Sequence, residues 1–299
     1  MLVRLGRSFF ISRRLNVKNM LKSYNENREL TVCARLPTRS LTAIPERKSI
    51  MKIHIIGKDE RLKVCAALLE EKPPPKQASI MLLPIPVSRD GEHITGTEKN
   101  FSELLNDCEP GEALVAYAAP KKLRELASEK GALLLDPERD EEYVAANALL
   151  TAIGTLGRIL TEERRAPCQL SIGVIGYGRI GQSLVRLLMF LGAEVKVFTS
   201  KAELRRDLQM LGISGVDSCA LSENYGALLD LDILINTAPV TLLAENAAKA
   251  LSHTRVIELA SGKNIPDAIP HEIWSAIPAN MYPVSAAREL YASVVRMLN

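Results

Sequence analysis

The chain has 299 residues, enough for two domains that each bury their own core, with 47% apolar and 24% charged residues. Its formal charge of +3 hides an asymmetry: residues 1–50 carry eleven Lys/Arg against three Asp/Glu, so the rest holds 27 basic against 32 acidic residues and lacks the basic stripe that nucleic-acid binding needs. Five scattered cysteines without a C-x-x-C pair and four histidines without ligand spacing give no support to a disulfide framework or a metal centre, and no run of 18 uncharged apolar residues marks a membrane span.

Residues 1–50 (MLVRLGRSFFISRRLNVKNM onward) are Arg-rich, acid-poor and without sustained apolar periodicity. A mitochondrial-type targeting peptide and a Sec signal compete for this composition, but neither an amphipathic helix nor a long apolar core is evident. The expectation is a disordered basic extension, with Met51 opening the folded protein. The cysteine pattern fits a reducing, cytoplasmic setting.

From Met51 the pattern alternates strand and helix. Lys52–Gly57 reads as a strand, Glu60–Glu71 as a helix stopped by Pro73-Pro74-Pro75, and Ser79–Ile85 as a buried strand. Phe101–Cys108 and Lys121–Lys130 follow as helices, with strands at Ala113–Ala118 and Ala132–Leu135. This alternation predicts an N-terminal α/β domain over 51–140 with a parallel sheet. A long helical pattern of small and apolar residues starts at Glu141 and links, through 141–166, to a second domain over 167–282. Strands there are expected at Leu170–Gly176, Glu194–Thr199, Asp232–Asn236 and Arg255–Ala260, and Pro283–Leu298 is a returning helix over 283–299. The fold class is therefore α/β: two doubly wound parallel-sheet domains joined by a long helix, the second a Rossmann dinucleotide-binding domain.

That assignment rests on Gly176-Tyr177-Gly178-Arg179-Ile180-Gly181, which directly follows the strand IGVI and directly precedes the helical run QSLVRLLMFLG. The first glycine permits the tight turn, the second lets backbone N–H groups approach a pyrophosphate, and the third lets helix and strand pack closely. The end of the following strand selects the cofactor. NAD enzymes place a carboxylate there for the ribose hydroxyls; here Thr199-Ser200-Lys201 offers two hydroxyls and an ammonium, which suits the 2′-phosphate of NADP, with NAD as the alternative. Thr237-Ala238-Pro239, after Asn236, ends the next strand where the nicotinamide ribose passes, and Glu258 ends the last strand on the same edge.

The layout resembles the D-2-hydroxy acid dehydrogenases, whose chemistry uses an Arg on the substrate carboxylate and a His as acid/base. Aligning VIELASGKN with that family puts Ser261 at the Arg position, and no His occurs between Trp274 and Asn299, so both tools are missing. A resemblance over nearly the whole chain from Met51 is to the family of dipicolinate synthase A subunits. It is carried by KIHIIGKDERL, LLPIPVSRDGEHI, ERDEEYVAANALLTAIGT, GYGRIG with GAEVKVFTS, DILINTAP and VIELAS. It implies an NADP-dependent oxidation of a dihydrodipicolinate-type dicarboxylate to dipicolinate, together with a flavoprotein-like B subunit, in sporulation. The sequence departs from that family where Asn-x-x-Pro-Thr-x-Glu-Gly is usual: Asn147, Thr151 and Gly154 are kept, but Leu150 replaces the Pro and Ile153 the Glu. It departs again near the end, at Ile277–Met281 and Tyr282–Ala287.

The catalytic candidates are Arg89, His93 and Ser261. Ser88, Arg89, Asp90, His93 and Thr95 form a polar loop where a cleft between the domains would draw ligand contacts; Arg89 suits a carboxylate and His93 a proton transfer, while a solvated turn on Asp90-Gly91 is the competing reading. Three functions stay open: an NADP-dependent dehydrogenase of this type, a nucleotide-binding partner or regulatory subunit without catalysis, and a dehydrogenase of another small carboxylate. Self-association is an open alternative; nucleic acid, membrane and metal are not expected.

Overall fold

The computed structural model describes residues 51–75, 79–222 and 225–299. The reading of residues 1–50 as a disordered extension falls outside these described residues.

The first sheet contains β1 (Lys52–Ile55), β2 (Ser79–Leu82), β3 (Ala113–Val115) and β4 (Leu133–Leu135), all parallel and in sequential order β1-β2-β3-β4. Helices α1 (Glu60–Glu71), α2 (Phe101–Asp107) and α3 (Lys121–Glu129) connect them. Local chemistry fixes their starts: Asp59 accepts from the Arg61 N–H at 2.9 Å to open α1, and Asn100 and Glu103 form a reciprocal capping box on α2. β2 ends at Leu82, short of the predicted Ile85, because Pro84 and Pro86 have no N–H to give to a ladder. Alternating residues cover the two faces. Ile80 and Leu82 pack with Leu62, Cys65 and Leu69 of α1, whereas Met81 and Leu83 pack with Phe101 and Leu104 of α2 and Leu123 of α3. Because the strand order never reverses, crossovers of one hand would place all three helices on one face. α1 lies opposite α2 and α3, so the first crossover has the opposite hand to the next two.

Asp140 caps α4 (Glu141–Glu162) through the Glu142 and Tyr143 N–H groups. This helix belongs to both cores: Tyr143 in its first turn is buried with α1 and the first sheet, while Ala152, Leu156 and Ile159 are buried with the second sheet. By length and composition alone α4 is apolar enough to cross a membrane, yet one side of it is packed against protein.

The second sheet runs in the order β10-β9-β8-β5-β6-β7, all parallel. Its strands are β5 (Ser171–Ile175), β6 (Glu194–Phe198), β7 (Ser214–Val216), β8 (Ile233–Asn236), β9 (Arg255–Glu258) and β10 (Glu272–Ile273); α5 (Arg179–Phe190) and α6 (Ala202–Met210) connect the first three. The order reverses at β5, which creates the crevice at the carboxyl ends of β5 and β8 where open α/β sheets bind ligands. The edge strands β7 and β10 were not foreseen: each is two or three residues long, too short to show an alternation. Helices α7 (Ile277–Met281) and α8 (Pro283–Leu298) end the described chain, and Ala287, Leu290 and Val294 of α8 join the core of the first sheet beside α1.

α4 meets α7 at a close approach. A Cβ added to Gly154 would lie 2.2 Å from Ile277 Cγ2. Gly154→Ala is therefore expected to lower stability by about 1–3 kcal/mol, the usual cost of overpacking, and denaturant unfolding checks it.

Candidate functional site

The turn 176–181 closes onto the crevice between β5 and β8. Gly176 has φ +91°, and a Cβ there would lie 2.7 Å from Thr237 Oγ1; a Cβ on Gly181 would lie 2.3 Å from the Gly176 carbonyl oxygen. Gly178 differs: nothing stands within 4 Å of its added Cβ, so it faces open space. The 12-residue α5 starts immediately after it, and no side chain caps its N-terminal N–H groups. An approachable glycine, an uncapped helix start and its partial positive charge together form a cradle that fits a pyrophosphate.

A cavity of about 450 Å³ opens from this turn and is lined by Gly176, Tyr177, Gly178, Thr199, Ser200, Lys201, Thr237, Ala238 and Pro239, which the sequence had nominated. Its remaining wall was not legible: Phe198, Leu204, Ser218, Cys219, Val240 and Leu242 carry no motif. Arg179 and Ile180 do not line the cavity. Arg179 instead pairs with Glu141 at the start of α4 at 2.6 Å, and Ile180 packs against the core of the second sheet.

The three residues read as a 2′-phosphate site divide in two. Thr199 is buried, and its hydroxyl accepts from the Lys201 N–H at 3.4 Å, so it shapes the turn. The side chains of Ser200 and Lys201 are exposed and have no partner among the described residues. Arg205, absent from the sequence reading, donates to the Thr199 carbonyl at 2.8 Å and pairs with Asp217 at 3.0 Å. It thereby occupies the carboxylate next to the lining residues Ser218 and Cys219.

At the floor of the same edge, Thr237 donates its hydroxyl to the Ile175 carbonyl at 2.9 Å, and Asn236 Nδ2 donates to the Glu258 carboxylate at 3.1 and 3.2 Å. Glu258 is 1% exposed, and burial pushes its carboxyl above the usual carboxylate range despite the Asn236 and Ala260 donors. The sign follows: a raised folded value favours the native state at low pH, and that contribution is lost as pH rises through it. Ser261, beyond β9, is exposed; its carbonyl accepts from Asn264 Nδ2, and it does not line the cavity at the glycine turn.

In the first lobe a cavity of about 440 Å³ is lined by Arg89, Asp90, His93, Ile94, Thr95, Gly96 and Thr97. Asp90 organises it, accepting from the Ser88 hydroxyl, the Glu92 and His93 N–H groups and His93 Nδ1, the last at 2.8 Å. The backbone N–H groups of His93 and Glu92, then the imidazole itself, hold the Asp90 carboxyl well below its usual range. The imidazole is thus oriented by a carboxylate, as in acid/base pairs, and Thr95 Oγ1 is buried without a partner among the described residues. Arg89 is exposed at the rim. This cavity and the one at the glycine turn share no lining residue, so the structure does not bring the two halves of the sequence-predicted site into one pocket. Ile153 is 37% exposed and lines neither cavity.

No known protein-family pattern matches the chain. It is similar to the A subunit of dipicolinate synthase of Bacillus subtilis (strain 168), with 31% identity over 126 residues, or 42% of this chain and 41% of that protein. The match thus spans about two fifths of the curated relative's length. The fold is shared with the crystal structures of the dipicolinate synthase A subunits from Bacillus halodurans (TM-score 0.69, 21% identity, covering 84% of this chain and 98% of that one) and from Bacillus subtilis (0.67, 19%, 83% and 96%). A transhydrogenase from Sinorhizobium meliloti is more distant (0.52, 19%, 75% and 74%).

Proposed function

We propose that the chain is an NADP-dependent dehydrogenase of the dipicolinate synthase A type, oxidising a dihydrodipicolinate-like dicarboxylate in concert with a flavoprotein-like second subunit. Similarity to the dipicolinate synthase protein supports this reading, and the observation that carries it is the glycine cradle opening on a cavity with Ser200 and Lys201 at its rim. The backbone of 176–181 and the start of α5 would hold the pyrophosphate, Lys201 and Ser200 the 2′-phosphate, and Thr237 to Pro239 the nicotinamide ribose. A nicotinamide dinucleotide bound there supplies the two-electron acceptor. The chain's own part is the rest: Arg89 holds a carboxylate, and His93, fixed through Nδ1 by Asp90, takes a proton at Nε2.

The test is direct. Purified protein, with its partner subunit, is expected to reduce NADP and generate the ultraviolet absorbance of dipicolinate from the dihydro compound. NADP binding without product would favour the second reading, a nucleotide-binding regulatory subunit; that reading draws on Ile153, an apolar residue where the resemblance puts a carboxylate. Lys201→Ala is expected to reduce the preference for NADPH over NADH about tenfold, the loss of one charge-assisted contact of about 1.4 kcal/mol, as read by titration calorimetry with both cofactors. Equal affinities in the unaltered chain would remove the NADP assignment.

A further inference from the structure

We infer that Arg61 and Tyr117 form a carboxylate subsite on the edge of the first sheet nearest the glycine turn, and that it takes the second carboxylate of the substrate. This rests on the proposed reading of the substrate as a dicarboxylate, for which Arg89 supplies a cation to one end only. The starting observation is a buried charge. Arg61 lies in the first turn of α1 and is 5% exposed. Asp59 occupies part of its guanidinium: Nε donates to the two carboxylate oxygens at 3.1 and 3.0 Å, and Nη2 to one of them at 2.5 Å. Nη1 has no partner among the described residues, although a guanidinium taken out of water needs its N–H groups bonded.

Tyr117, just after β3, is presented by a strained turn. The next residue, Ala118, has φ +51°, a left-handed conformation that a side chain disfavours. Asp136, itself 4% exposed, holds this turn by accepting from the Ala118 and Ala119 N–H groups at 2.9 and 3.2 Å. The Tyr117 ring meets the Tyr143 ring edge to face, with centroids 5.7 Å apart, and its hydroxyl has no hydrogen bond among the described residues. The first turn of α4 ties it to the cofactor cradle: Tyr143 contacts Tyr117, and Glu141, two residues earlier, holds Arg179 of the glycine turn.

The surrounding charges favour a donor. Burial, then the Glu138 and Asp136 carboxylates, push the Tyr117 hydroxyl above its usual range, and the Arg61 and Arg179 guanidiniums oppose them. The phenol therefore stays protonated at neutral pH. Three of the nearby carboxylates are engaged: Asp59 by Arg61, Glu141 by Arg179, and Asp136 by three backbone N–H groups. Glu138 is exposed. Arg61 Nη1 and the Tyr117 hydroxyl together offer N–H and O–H donors and no competing base, which suits an acceptor-only group with two oxygens.

Titration calorimetry on the full chain saturated with NADPH tests this, with pyridine-2,6-dicarboxylate and pyridine-2-carboxylate as probes. The unaltered chain is expected to bind the dicarboxylate at least about tenfold more tightly than the monocarboxylate, which keeps only the Arg89 end. Tyr117→Phe retains the ring against Tyr143. It is expected to preserve the melting temperature and NADPH affinity, to weaken the dicarboxylate about tenfold and to change the monocarboxylate by less than about twofold. Arg61→Lys, a point charge in place of the planar guanidinium, is expected to narrow the same preference. A preference unmoved in both variants would overturn the inference and leave the proposed activity standing. Equal losses for the two probes would also overturn it, by making the two residues general supports of the fold, as would equal affinities in the unaltered chain. Binding of neither probe to the unaltered chain would remove the inference and the dicarboxylate reading together.

Discussion

Gly178→Val is expected to leave the melting temperature within a degree or two of the parent and to weaken dinucleotide binding about a hundredfold, or some 2.7 kcal/mol. The two halves of that result have separate causes. No protein atom stands within 4 Å of the added Cβ, and φ at Gly178 is −80°, so the backbone tolerates a side chain there. What the side chain would meet is the approaching pyrophosphate, kept from the N–H groups at the start of α5. Gly181→Val is the contrasting case: its Cβ would stand 2.3 Å from the Gly176 carbonyl oxygen, so stability and affinity fall together. Calorimetric titration with NADP beside thermal unfolding of both variants separates the roles. Unchanged affinity in Gly178→Val would remove the phosphate from this turn.

His93→Asn is expected to lower kcat by about a hundred- to ten-thousandfold, the usual span for a lost acid/base group, while Arg89→Ala raises KM for the dicarboxylate. Asp90→Asn should fall between them, because it keeps the turn but removes the carboxylate that orients the imidazole. The pH profile discriminates further. A carboxyl whose folded value is depressed contributes above its unfolded value and loses that contribution as pH falls, so Asp90 stays ionised throughout the neutral range. Any inflection in kcat near neutrality must then come from a group other than Asp90. Steady-state rates of His93→Asn indistinguishable from the parent would return the loop to being a solvated turn.

The parts of this architecture that sequence made legible are those with a short-range cause. The glycine turn, the proline stop after α1 and the missing carboxylate after β6 each act within a few residues of themselves. Long-range consequences stayed hidden. Arg205 could not be tied to Asp217 before β7 was seen to lie beside β6, and Thr199 could not be seen to turn inward. The division of the nominated site into two cavities depends on the packing of whole lobes. Ile153 shows the same limit differently: the resemblance marks it as a lost carboxylate, and only the helix's packed side reveals that the position points outward.

The docking of α8 beside α1 has a temporal consequence. The first lobe is discontinuous along the chain: Leu62 and Leu69 share their core with Leu290 and Val294, and Tyr291 donates to the Lys72 carbonyl across 219 residues. During synthesis the four strands of that lobe emerge early, with one face of their sheet still lacking its last helix. At about 5–20 residues per second the stretch from Leu135 to Leu298 takes roughly 8–33 s, and by its last part the second lobe has all its strands and can fold as a unit. The lobe translated first is therefore completed last, and Leu290→Ala should slow its refolding while sparing that of its neighbour.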